Sequence, residues 1–206
     1  MTYAPAPRRN RDSAAGGLKL VGGMTVLMWV LEFVDTPLGG LLDRLGGIHP
    51  RDLASLVDIV TAPFLHAGFG HLMGNTVPFV VLGAMIAASG ALRVLAVTAT
   101  VILVSGLGVW LFAPPMSFTV GASGLVFGFA AYLVARGVFT RQLGQLAVGL
   151  LVVVVWGGML LGGLLPQPGI SWQAHLFGAV GGVVGAAVFR GRSRRDVAGV
   201  PSTRWS

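Results

Sequence analysis

Apolar residues run along this chain in six long blocks, at 18–34, 71–88, 92–112, 120–137, 143–165 and 172–189. Each comes close to the roughly 20 predominantly apolar residues that a helix needs to cross a hydrocarbon core. The breaks between blocks carry turn chemistry or charge: Ser89-Gly90 with Arg93, Pro114-Pro115, Arg136 to Arg141, and Pro166-Gln167-Pro168-Gly169. The pattern predicts an all-α, polytopic membrane protein, a bundle of six transmembrane helices. The first block resembles a signal-peptide core in length. It lacks a small-x-small cleavage site after Val34, and five further blocks follow, so it reads as a span.

Composition agrees: 54% of the 206 residues are hydrophobic and 10% are charged, against roughly 25% charged in a soluble domain. The absence of cysteine removes disulfides and thiolate metal sites from consideration. The placement of charge matters more. A formal charge of +7 would fit a nucleic-acid partner if it lay on one surface. Instead Arg8, Arg9, Arg11 and Lys19 cluster near one end and Arg190, Arg192, Arg194, Arg195 and Arg204 at the other. No Asp or Glu occurs between Asp58 and Asp196. This is a membrane topology signature and argues against nucleic acid. With the blocks threaded back and forth, all of the 14 basic residues except Arg44 and Arg51 fall on one side. The positive-inside rule makes that side the cytoplasm. Both termini are then cytoplasmic, and the first loop, with Asp35, Asp43, Asp52 and Asp58, faces the extracytoplasmic side of the cell membrane. The expected division is a disordered cytoplasmic segment at 1–17, the six-span unit at 18–189 and a basic cytoplasmic tail at 190–206. That tail fixes orientation and is attracted to anionic headgroups.

Polar residues then converge. Spans two, four and six run in the same direction, and His71 and Asn75, Ser123, and His175 lie in their respective first turns. At 1.5 Å per residue, all sit within roughly 10 Å of the outer helix ends. Polar and ionisable groups inside a membrane are rare and mark functional sites. His175, Gly178, Gly182 and Ala186 share one helix face, and Gly121, Gly124, Gly128 and Ala131 form a second stripe beside Ser123. Small-xxx-small faces let membrane helices approach closely, so spans four and six are expected to be neighbours. Close approach would bring Ser123 within reach of His175, a nucleophile and its base. His71 and Asn75, four apart, share a face from which N–H donors could hold a tetrahedral oxyanion.

No carboxylate occurs in spans two to six. A Ser-His-Asp triad would need a first-loop Asp or Glu32 to fold back, so a Ser-His dyad is simpler. Two rival intramembrane chemistries fail on composition: an aspartyl mechanism needs two embedded Asp residues, and an HExxH zinc site needs a Glu beside its histidines. His66 and His71 are five apart, about 140° around a helix, a poor shared-ligand geometry. No metal and no cofactor is expected.

Three segments resemble the rhomboid family of intramembrane serine proteases, over essentially the whole unit from Leu18 to Phe189. His66-Ala67-Gly68-Phe69-Gly70-His71-Leu72-Met73-Gly74-Asn75 is similar to that family's span-two signature. Gly121-Ala122-Ser123-Gly124 is similar to its GxSG nucleophile motif, and Ala174-His175-Leu176-Phe177-Gly178, continuing to Gly182, to its AHxxGxxxG motif. A GxSG string alone is weak in a chain with 32 glycines; the three in this order are specific. The resemblance implies that Ser123 is the nucleophile and His175 the base, with Asn75, His71 and the Ser123 N–H as the oxyanion site. It implies that Gly121, Gly124 and Gly178 allow close packing around the site, that Phe127 packs on His175, and that His66 is structural or lines the cavity. Substrates would be transmembrane helices of other membrane proteins, reached from the bilayer. Val57 and Asp58 stand where many members carry a Trp-Arg pair, so the first loop departs from the family pattern. There is no seventh span, as in the minimal bacterial form.

Two other classes remain open on the sequence. A rhomboid-like binding protein would hold client helices without cutting them, and such proteins are expected to have lost Ser or His. A small transporter or channel would show inverted repeats with broken helices, or paired charges inside the membrane; neither pattern is present.

Overall fold

The computed structural model describes residues 11–189 of the chain. Eight α-helices follow one another among them: α1 (Arg11–Asp35), α2 (Leu41–Gly46), α3 (Asp58–Thr61), α4 (Phe69–Ala87), α5 (Ala91–Phe112), α6 (Ser123–Thr140), α7 (Leu143–Gly163) and α8 (Trp172–Val188). Helices α1 and α4 to α8 correspond to the six apolar blocks. The short α2 and α3, with three single turns of 3-10 helix, make up the first loop. Residues 1–10 and the basic tail at 190–206, to which part of the expected domain division refers, lie outside the described residues. Helix α1 continues back to Arg11, past the apolar block, because a helix leaving the membrane no longer needs apolar side chains.

Five of the six long helices have both the length and the composition to cross a bilayer; α8, at 17 residues, is the short one. At 1.5 Å per residue it spans only about 25 Å. It sits between α5 and α6. Helix α6 is the centre of the bundle, packing against α4, α5, α7 and α8, and 56% of its apolar window is buried. Helix α7 packs chiefly against α6, and 11% of its window is buried. The core around α6 is apolar and aromatic: Phe79 and Phe129 stack at 5.4 Å, and Leu72, Leu82, Ile86 and Val97 are fully covered. Helices α1 and α4 meet where Gly83 leaves room for Val21.

The first loop is clamped to the rest. Arg51 donates from Nη1 to the Leu111 carbonyl at 2.9 Å and from Nη2 to the Ala113 carbonyl at 2.9 Å. These are carbonyls at the C-terminus of α5, the negative end of its dipole, where a guanidinium is stabilising by roughly 0.3–1 kcal/mol. Trp110 Nε1 returns a bond to the Asp52 carbonyl at 2.7 Å, and Ile48 pairs with Thr119. Ile59 fills the space over Gly106. Where α1 meets α2, the carboxyls of Glu32, Asp35 and Asp43 are all nearly fully buried. Asp35 accepts from the backbone N–H groups of Leu42 (2.7 Å) and Asp43 (3.2 Å). Burial, together with Asp35 and Glu32 facing it, pushes the Asp43 carboxyl up to about 6.

Candidate active site

The chain reaches Ser123 through a backbone that few sequences can adopt. Gly121 has φ +119°, and a Cβ there would stand 2.5 Å from His71 Cε1. A side chain is therefore excluded both by conformation and by space. The Gly121 N–H donates to the Ala62 carbonyl at 2.9 Å, and the Ala122 N–H donates to His66 Nε2 at 3.3 Å. Both anchors come from the end of the first loop. Helix α6 then starts at Ser123, and the first closed backbone bond at this end runs from Val126 N–H to the Ala122 carbonyl. The N–H groups of Ser123, Gly124 and Leu125 precede it and have no intrahelical acceptor. They make the positive end of the α6 dipole, a place where a developing oxyanion is stabilised.

His175 enters from α8. The Ser171 hydroxyl caps that helix by accepting from the Ala174 N–H at 3.3 Å. His175 Nδ1 meets the Gly163 carbonyl at 2.7 Å. A carbonyl can only accept, so Nδ1 carries the proton and Nε2 of the neutral ring keeps its lone pair. No carboxylate is needed to set this tautomer; a backbone carbonyl from the end of α7 does it. The ring is also held face-on: Phe127 stacks on it with centroids 4.1 Å apart and planes within 5°. Gly163 is required for both contacts, since a Cβ there would lie 2.5 Å from Phe127 Cζ and 3.0 Å from His175 Nδ1.

Helices α6 and α8 lie in backbone contact. A methyl group on Gly178 would overlap the Gly124 carbonyl, and one on Gly182 would overlap the Gly128 carbonyl. This is the neighbour relation expected from the two small-residue stripes. Ser105 of α5 completes the junction, its hydroxyl donating to the Ala174 carbonyl at 2.9 Å beside Gly124.

Ser123, His175, His71, Asn75 and Phe127 all line one open cavity of ≈ 990 Å³. Residues 166–171, between α7 and α8, contribute to its wall. The Ser123 hydroxyl makes no hydrogen bond among the described residues, so serine and histidine share the cavity without a hydrogen bond between them. Asn75 Nδ2 is turned back onto the His71 carbonyl at 3.2 Å. Gly121, Gly124 and Gly178 are packing positions behind the lining. His66 also stands behind it, 2% exposed, with its ring edge-on to His71 at 5.2 Å. Burial, and then the neighbouring His71, lower its pKa to about 4, so it is neutral and its Nε2 stays an acceptor for Ala122. Among the described residues no cluster of His, Asp or Glu could hold a metal ion.

Gly163 is the residue that reading the sequence passed over. Its role belongs to a backbone atom, which leaves no side-chain signature. The available signal was position: Gly162-Gly163 ends an apolar block just before the Pro166 break that leads to His175.

Fold and cavity define a polytopic helical membrane protein with a serine and a histidine set into one open cavity among its helices. Residues 54–192 match the Rhomboid domain, and the chain belongs to the rhomboid family. A protein of Mycobacterium tuberculosis described as uncharacterized is 40% identical over 189 residues, covering 85% of this chain and 78% of that one. A Mycobacterium leprae protein, also described as uncharacterized, is 38% identical over 192 residues, covering 85% of this chain and 74% of its own. A Bacillus subtilis protein named "Putative rhomboid protease YdcA" is 31% identical over 126 residues, covering 60% of this chain and 62% of its own.

Proposed function

We propose that this protein is an intramembrane serine endopeptidase that cuts a peptide bond in, or just outside, a transmembrane segment of another membrane protein. One observation carries the reading: Ser123 lines the same cavity as a histidine whose Nδ1 is tied to the Gly163 carbonyl, which leaves Nε2 as a base. Ser123 Oγ attacks the scissile carbonyl as His175 Nε2 takes its proton. The imidazolium returns that proton to the leaving amine, and water repeats the sequence on the acyl-enzyme. Asn75 Nδ2, a His71 ring N–H and the Ser123 N–H at the head of α6 hold the oxyanion. Apo geometries of this kind tighten on substrate binding, which closes the Ser123–His175 gap.

In this reading both termini are cytoplasmic and the cavity opens on the extracytoplasmic side. Arg93, Arg136 and Arg141 lie at the opposite end of the bundle from Ser123, in keeping with the positive-inside rule. A substrate helix must unwind locally, because a helical amide is shielded by its own hydrogen bonds. Glycines around the site favour small residues at the cleaved position; equal cutting of substrates with bulky residues there would refute that preference.

The unmade Ser123–His175 bond favours one second reading, a rhomboid-like protein that binds client helices without cutting them. Fluorophosphonate labelling of the detergent-purified chain decides between them. Wild type is expected to label, and Ser123→Ala and His175→Ala to abolish it. A folded wild type that neither labels nor cleaves a designed transmembrane substrate in lipid would give the binding reading the lead.

A further inference from the structure

At the end of the bundle remote from the cavity, two arginines converge on one buried tyrosine. Tyr132 of α6 is fully covered. Arg93, in the first turn of α5, donates from Nη1 to Tyr132 Oη at 3.3 Å and also to the Phe189 carbonyl. Its guanidinium stands 5.7 Å from the centre of the Phe189 ring. Arg136, one turn after Tyr132, has its guanidinium 5.9 Å from the centre of the Tyr132 ring and donates from Nη1 to Ser89 Oγ at 2.6 Å. Every one of these partners is neutral. They hold the two cations in place and do not neutralise them.

Among the described side chains no counter-charge faces them; Asp12, at the start of α1, and Asp196 lie outside those side chains. The sequence has no Asp or Glu between Asp58 and Asp196, and the five carboxylates with described side chains, from Glu32 to Asp58, belong to the other end of α1 and the first loop. Two half-buried like charges fixed on one tyrosine, Arg93 at its hydroxyl and Arg136 over its ring, repel each other in a medium less polar than water. Of the five N–H donors of each guanidinium, four remain on Arg136 and three on Arg93, whose Nη1 serves two acceptors. An anion between the two would accept those donors and remove the repulsion. Next to the pair in sequence stand Leu92, 81% exposed, and Val138, 57% exposed, on the lipid-facing sides of α5 and α6. The place therefore offers cationic donors at headgroup level with bare apolar surface beside them, the two halves of an anionic amphiphile.

We infer that Arg93 and Arg136 form a binding site for the phosphate of an anionic phospholipid, which joins the ends of α5, α6 and α8 at this face. The inference is independent of the proteolytic reading, and its test uses no activity. Full-length protein, delipidated in neutral detergent, is titrated with phosphatidylglycerol or phosphatidylcholine and bound lipid is counted by native mass spectrometry; thermal unfolding is followed in parallel. Wild type is expected to retain one phosphatidylglycerol in preference to phosphatidylcholine and to gain thermal stability from it. Arg136→Gln, which leaves the Arg93 tether intact, is expected to weaken that binding about fivefold, the loss of one headgroup contact. Equal retention of the two lipids, or an Arg136→Gln titration that overlays wild type, would overturn the inference. So would inorganic phosphate alone giving the full stabilisation, which would assign a free-anion site. Asp12→Asn and Asp196→Asn are the controls for an intramolecular partner: unchanged titrations are expected, and tighter lipid binding in either variant would make that carboxylate the native occupant and overturn the lipid assignment.

Discussion

Helices α7 and α8 are both rich in glycine, and the glycines do opposite things. In α8, Gly178 and Gly182 sit on carbonyls of α6, and Gly181 faces the backbone of α5. In α7, Gly144, Gly158 and Gly162 have nothing within 4 Å of where a Cβ would be. Both helices are apolar and glycine-rich, yet one is wedged between two neighbours and the other leans chiefly on one. A glycine stripe records that an approach is permitted. Whether it is used depends on what the fold puts opposite.

The largest expected effect comes from filling a used position. Gly182→Val should separate α6 from α8 at a cost of about 3 kcal/mol or more, since the atom it meets is backbone and cannot yield. Thermal unfolding in detergent reads this directly, and a variant as stable as wild type would break the comparison. On α7 the used positions are Gly149, against the backbone of α6, and Gly163, and Gly163→Ala sharpens the contrast. It should leave the bundle folded while displacing the Phe127–His175 stack, lowering turnover about 10- to 100-fold by misplacing the base. Turnover equal to wild type would remove Gly163 from the site.

A smaller effect separates the first loop from both helices, neither of which carries a carboxylate. Asp43 has its folded pKa raised from 3.8 to about 6, so its contribution to stability is full below the lower value and lost as pH rises through the upper. His66 has its folded pKa lowered from 6.5 to about 4, so its contribution is present above 6.5 and lost as pH falls through 4. The two slopes oppose each other in nearly the same window. Asp43→Asn should leave the His66 slope alone, so Tm falls more steeply on acidification than in wild type; parallel Tm–pH profiles would show that Asp43 titrates normally. The smallest effect is Gly158→Ala, at an unused position, which should shift stability by no more than about 1 kcal/mol, in the favourable direction.

Helix existence was legible in the sequence because lipid imposes it, and boundaries were off only where local chemistry intervened. Span four reads from Val120 on hydropathy, but φ at Gly121 holds the helix back to Ser123. Span two reads from His71, yet Gly68 lets the helix begin at Phe69. The convergence of His71, Asn75, Ser123 and His175 on one cavity could be foreseen from span direction and depth. The pairing of His175 with Gly163 could not, because it is made by a carbonyl. Nor could the fate of the acidic residues. A third catalytic carboxylate would require Glu32 or a first-loop aspartate to fold back onto the histidine; Glu32, Asp35 and Asp43 instead lie buried together where α1 meets α2, which their positions in the sequence do not foretell.

If the proposed proteolytic reading holds, the Gly163 carbonyl also makes the chemistry contingent on completed assembly. Synthesis delivers Ser123 first, then α7, and His175 last, so a nascent chain carries a serine with no base. Even with α8 inserted, the imidazole has no fixed proton until α7 takes its place against α6. A helix that seats on one neighbour thereby serves as the final latch. Half-built copies remain inert toward the helices and the insertion machinery around them.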